Sequence, residues 1–195
     1  MTTNNNSSVS NFLLDPWSPI KIALPSVAIQ AVLHYTVLEK LPIRSLTLAL
    51  SLVNTYWFAS TLNQSFLDTP ITLLSSTDDK VHSANVGRLI FNWLNKLEIA
   101  VSVVSLDLYC VWRQKIIDRG GFIDKVLVAT TLLPPAIVLL QSSYLLPTLN
   151  KRADKMIKGL PLEPSSVHKQ YIGFEVAKVV GLAVAGLRFG KLLTH

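Results

Sequence analysis

The residues best able to do chemistry sit where the chain is most apolar. His168, Tyr171, Glu175 and Lys178 lie in the stretch SSVHKQYIGFEVAKVVGLAVAG, whose second half reads like a membrane span. At 100° per residue these four fall within an arc of about 80° of one helix face. A second stretch, Val86 to Trp112, repeats the arrangement. There Asn92, Asn95, Glu98, Ser102, Ser105 and Tyr109 share an arc of about 140°, and Lys96 flanks it. An imidazole, a phenol, two carboxylates, two ammonium groups and amides on such seams can hold a polar ligand or ion, or pass a proton. They can also act as glue between helices. Both readings stay open at this level.

An unpaired charge at a bilayer centre costs at least about 2.5 kcal/mol, so the two seams are expected to face each other. Counted from Val86 and Ser166, Glu98 and Lys178 lie at the same depth, about 18 Å along their helices. Lys96 and Glu175 lie at about 14–15 Å. The expected pairs are therefore Glu98–Lys178 and Lys96–Glu175. The candidate ligand or proton seam consists of Asn92, Asn95, Lys96, Glu98, His168, Tyr171, Glu175 and Lys178. In this seam His168 is the group that titrates near neutral pH. An interfacial helix start after Ser165 and Ser166 is the plainer reading of it.

Catalytic signatures are absent. The sequence holds no G-x-S-x-G, H-E-x-x-H, C-x-x-C or P-loop motif. A bis-histidine haem needs two facing histidines, and His34, His82, His168 and His195 suggest no pair. No metal site is expected, and no cofactor can be named. The single cysteine, Cys110, excludes an internal disulfide framework.

The elements that must position the seams follow from composition. Of 195 residues, 50% are hydrophobic and 15% charged, with net charge +6. Soluble domains carry about a quarter charged residues. This balance points to a chain surrounded by lipid, with its cations in loops. Nucleic-acid binding would need a basic stripe with exposed aromatics, and none is visible.

Two windows are long enough to span a bilayer without a charge: the 23 residues after Arg44 and the 25 after Lys125. Pro134 and Pro135 in the second predict a kink, with Thr130, Thr131 and Gln141 as candidate partners for the freed carbonyls. Adding the two seam-bearing stretches predicts spans near Ser45–Leu67, Val86–Trp112, Val126–Asn150 and Val167–Leu193. Charge-free and charged spans alternate, as two hairpins of a weak internal duplication would. Residues 1–19 are predicted to be a disordered polar tail. Residues 20–42 are predicted to be an interfacial or docked helix, with Pro25 in its first turn. The reason is that only about 17 residues separate Lys21 from Glu39. Ser26, Gln30 and His34 form one narrow polar stripe on it. Residues 43–195 are predicted to be the bundle. The lysine and arginine balance between the two sides, nine against seven, places both termini in the cytoplasm.

YLLPTLNKRADKMIKG, followed by SSVHKQYIGFE, resembles the small four-span membrane proteins that include transmembrane protein 205 and bacterial relatives of unknown function. Pro147, Arg152 and His168 fill the family's places, and VNTYWFAST looks like its aromatic first helix. Where that family usually has Ser and Asn after the histidine, this chain has Tyr171 and Glu175. The resemblance implies a four-helix membrane bundle and little about activity.

The expected fold is all-α: an integral membrane four-helix bundle with an extra N-terminal interfacial helix. The expected function is a multi-pass, non-enzymatic membrane protein that binds or conducts a small ligand or proton through its seam. A structural or assembly subunit of a larger membrane complex is the first rival. A membrane oxidoreductase using a quinone or haem is the second. The expected partners are the lipid bilayer and other membrane subunits, with no nucleic acid.

Overall fold

The structure is a computed structural model that describes residues 5–71 and 80–194. Every regular element among the described residues is helical. The helices are α1 (Asn5–Leu14), α2 (Ser18–Thr36), α3 (Ile43–Leu62), α4 (Lys80–Asp118), α5 (Lys125–Leu140), α6 (Leu146–Ile157) and α7 (Val167–Lys191). One 3₁₀ turn, Leu38–Lys40, follows α2. Two π-helical turns occur, Asn63–Asp68 after α3 and Gln141–Leu145 between α5 and α6.

Three helical stretches are long and apolar enough to cross a membrane: Ser18–Lys40, Ala84–Asp118 and Lys125–Ile157. The last two contain the second and third expected spans. The other two expected spans are not among them. In α3, Asn54 and the Ser and Thr residues dilute the apolar run, and α7 carries Lys169, Glu175 and Lys178.

The N-terminal region differs from its expectation. The polar tail predicted for 1–19 contains α1, and α2 already begins at Ser18. Tertiary docking accounts for this: Leu13 is buried, and α1 packs on α4. The corner between α1 and α2 is fixed by Asp15. Its carboxylate accepts from the Trp17 amide at 3.0 Å and from the Lys21 ammonium. The Lys21 hydrogen bond, then the Trp17 amide, hold the Asp15 carboxyl below the usual carboxylate range. Pro25 lies inside α2 rather than in its first turn, because Pro19 occupies that turn. With the 3₁₀ turn, this segment reaches 23 residues. At about 1.5 Å per residue, its length no longer separates a docked helix from a span.

Contacts define the helix order. α3 packs on α4 and α7, α5 packs on α4 and α7, and α2 lies along α4. Trp112 near the end of α4 donates to Thr47 near the start of α3 at 2.9 Å. Arg188 near the end of α7 pairs with Asp124 at the start of α5. Arg88 near the start of α4 pairs with Asp154 near the end of α6. Neighbours among α3, α4, the α5–α6 stretch and α7 are therefore antiparallel, and α4 and α7 run the same way on opposite corners of a square. α2 runs parallel to α4, with Gln30 and His34 at Asp107 and Glu39 at Lys115. Gly120, at φ 71°, makes the left-handed turn between α4 and α5.

Close approach is concentrated on α7. A Cβ on Gly186 would meet the Thr55 hydroxyl at 3.0 Å, and the Ser51 hydroxyl donates to the Gly186 carbonyl at 3.1 Å. Gly181 lets α7 approach the proline-bearing stretch of α5, where the Thr130 carbonyl lies 3.5 Å from its Cβ position. Thr130 and Thr131 do not cap the carbonyls freed by the prolines. Their hydroxyls donate one turn back, to Val126 and Leu127. Small residues at the contact are how helices pack where no hydrophobic drive exists between them.

Candidate functional site

A charged layer lies between two apolar layers. On one side are Trp57, Ile99, Val138 and Leu182. On the other are Leu145, Leu146 and Tyr171. Between them the Lys178 ammonium lies 2.6 Å from Glu98 Oε1 and 2.7 Å from Oε2. It also donates to Glu175 Oε1 at 2.9 Å and to Gln141 Oε1 at 3.0 Å. Lys178, Glu98, Glu175 and Gln141 are each at most 2% exposed. The bridge runs diagonally, joining α4 to α7, which explains why the two residues sit at equal depth.

Each carboxylate has its own donors. Glu98 Oε1 accepts from Trp57 Nε1 at 3.1 Å and from the Thr61 hydroxyl at 2.9 Å. Glu175 Oε1 accepts from Gln141 Nε2 at 2.8 Å, and its Oε2 accepts from the Ser65 hydroxyl at 3.2 Å. Ser65 and Gln141 both come from the π-helical turns. A π turn shifts side-chain register by one residue and is often found at functional sites. Here two such turns, on different helices, aim polar groups at one carboxylate.

The eight sequence-predicted residues divide into groups. Glu98, Glu175 and Lys178 meet. Lys96 does not pair with Glu175, contrary to the depth argument. Its ammonium donates to Asn92 at 3.3 Å, on the face of α4 turned towards Asp15. Lys96 lies two positions before Glu98, and that rotation of about 200° carries its side chain off the seam. Asn92 donates to Asn150 at 2.9 Å, and Asn95 accepts from Ser142 at 3.0 Å. These two amides tie α4 to the third helical stretch.

Tyr171 is 1% exposed, and its buried hydroxyl lies beside the Glu175 carboxylate, outside ordinary hydrogen-bond geometry. His168, one turn earlier, is exposed. Both line a cavity of about 290 Å³, together with Ser65, Phe66, Phe91 and Ile172, and Glu175 closes its inner end. His168, Tyr171 and Glu175 therefore do converge on one space, with His168 at the rim.

Sequence reasoning missed Trp57, Thr61, Ser65 and the role of Gln141. The signal was present: Asn54, Trp57, Thr61 and Ser65 recur at spacings of three and four, a helix face of their own. The stripe on α2 was legible. Gln30 donates to Asp107 at 2.8 Å, and His34 Nδ1 lies 2.7 Å from the same carboxylate. Ser26 instead bonds to its own helix at Ile22. This second polar cluster docks α2 on α4.

Among the described residues no group of three or more His, Cys, Asp or Glu side chains is disposed to hold a metal ion. His82 and His195, considered above for haem, have side chains outside the described set. No protein-family model, curated protein or solved structure matches the chain.

Proposed function

We propose that the chain is a multi-pass membrane protein in which α3, α4, the α5–α6 stretch and α7 cross the bilayer as a four-helix bundle. On this reading it binds or conducts a small ligand or proton at the charged layer, and it catalyses no reaction. The observation that carries the proposal is the cavity at Glu175. A layer serving only as glue needs no open space beside it. The square of antiparallel helices supports four crossings, which the resemblance to transmembrane protein 205 also implies. Glu175, Lys178 and the Gly186 carbonyl of α7 bond inwards, while Val176, Val180 and Leu187 are exposed, as suits a lipid-facing side.

The structural reading keeps one observation in its favour: Glu98, 1% exposed, accepts from Trp57 and Thr61 of α3 and from Lys178 of α7. Such saturation is what interhelical glue requires. Glu98 can therefore be structural while Glu175 is functional.

Reactivity from the two sides of sealed vesicles tests the proposal. In a Cys110→Ser background, Ser65→Cys should react with a small, water-soluble, impermeant thiol reagent from one side only. Phe122→Cys, on the exposed turn between α4 and α5, should react only from the other. A Ser65→Cys protein inert in its folded state would mean that the cavity is closed and the layer is packing alone. Reaction of both from one side would contradict the crossing of α4.

A further inference from the structure

The charged layer contains two carboxylates and one ammonium. Glu98 and Glu175 share Lys178, and no other cation hydrogen-bonds to either among the described residues. Lys96 is turned away, and its bond is to Asn92. The buried layer is thus one positive charge short. Burial makes such an excess costly unless a proton or a cation supplies the difference.

The shortage falls at Glu175 rather than Glu98. Each carboxylate has three hydrogen-bond donors, Trp57, Thr61 and Lys178 for Glu98 and Gln141, Lys178 and Ser65 for Glu175, but it is Glu175 that lines the cavity, where a cation can reach it. The walls are aromatic: Phe66, Phe91 and Tyr171 line the space, with the Phe91 and Tyr171 rings edge to face at 5.1 Å.

We infer that the cavity between the π turn at Asn63–Asp68 and the start of α7 takes a small organic monocation, a protonated amine, whose charge completes the Glu98–Lys178–Glu175 layer. This rests on the reading of that cavity as a ligand site and names the ligand's chemical class. The ammonium group donates to the Glu175 carboxylate, and the aromatic rings face its positive charge. Three oxygens, from Glu175, Tyr171 and Ser65, are too few for a bare alkali or alkaline-earth ion, which takes six or more. A carboxylate within a largely aromatic wall suits an amine. The volume of about 290 Å³ admits a single ring or a short chain.

Melting of the purified full chain in detergent, with and without benzylammonium chloride, provides the test. Benzyl alcohol and sodium phenylacetate serve as neutral and anionic probes of the same shape. Benzylammonium should raise Tm in a saturable way, and the neutral and anionic probes should not. Glu175→Gln should weaken the apparent affinity at least tenfold. Ile172→Trp, which fills the cavity without touching the charged layer, should abolish the response while leaving Tm close to wild type. Equal protection by benzyl alcohol or phenylacetate, lost in Ile172→Trp, would overturn the assignment of charge and leave the cavity as a ligand site. No protection by any probe, with Ser65→Cys reactive, would overturn the amine assignment alone. No protection with Ser65→Cys inert would overturn both this inference and the function proposed above.

Discussion

Lys178→Met should be the most damaging single substitution in the chain. The ammonium is fully buried and bonds to Glu98, Glu175 and Gln141 at once. Methionine preserves much of its length and removes every donor. Two buried carboxylates then face each other with no cation between them. Removing one partner of a buried pair costs about 3–5 kcal/mol, and here two acceptors are stranded together. The variant should accumulate poorly and elute as aggregate or melt far below wild type in detergent. Adding Glu98→Gln and Glu175→Gln to it removes both charges and should recover part of the loss. Near-wild-type melting of Lys178→Met alone would show that the layer is open to water and that its charges are screened there.

Glu98→Gln should come second, for a reason of donor arithmetic. Glu98 Oε1 accepts from Trp57 and Thr61, and the Lys178 ammonium lies against both oxygens. Glutamine keeps one acceptor oxygen and replaces the other by an amide NH2. Either Trp57 and Thr61 or Lys178 then faces a donor. A buried donor left unpaired costs about 1–3 kcal/mol, more where it is charged. The expected loss is about 3 kcal/mol, read as a lower Tm and faster proteolysis in detergent. Trp57→Phe in the same background should cost little further, because its partner is already compromised; full additivity of the two losses would show that Trp57 and Glu98 act independently.

Part of this was legible from sequence for a simple physical reason. Helical periodicity and the cost of buried charge together require that the charges of α4 and α7 share a side, and depth then selects Glu98 and Lys178. The same logic failed for Lys96, because equal depth says nothing of rotation, and a step of two residues on a helix turns a side chain by about 200°. The partners from α3 and the π turns escaped attention because Trp57, Thr61, Ser65 and Gln141 carry no charge. Their stripe was readable only once a charged partner was known to need donors. The π turns themselves leave no periodic trace, since they are the places where periodicity slips. The tail at 1–19 misled because its polar composition hides Leu13, and one buried leucine and the Asp15 corner suffice to order α1 against α4.

The central claim is that Glu175, unlike Glu98, belongs to a ligand site. Glu175→Gln tests it most directly. The glutamine oxygen can replace Oε1 and accept from both Gln141 and Lys178. Its NH2 then faces Ser65, whose hydroxyl can accept as well as donate. The substitution also leaves Glu98 and Lys178 as a neutral pair. Melting of Glu175→Gln beside Glu98→Gln, each with and without benzylammonium, is the measurement. The account predicts that Glu175→Gln melts within a few degrees of wild type and loses the amine response, while Glu98→Gln melts far lower. A loss of stability in Glu175→Gln as large as that in Glu98→Gln would contradict it, and would make both carboxylates interhelical glue.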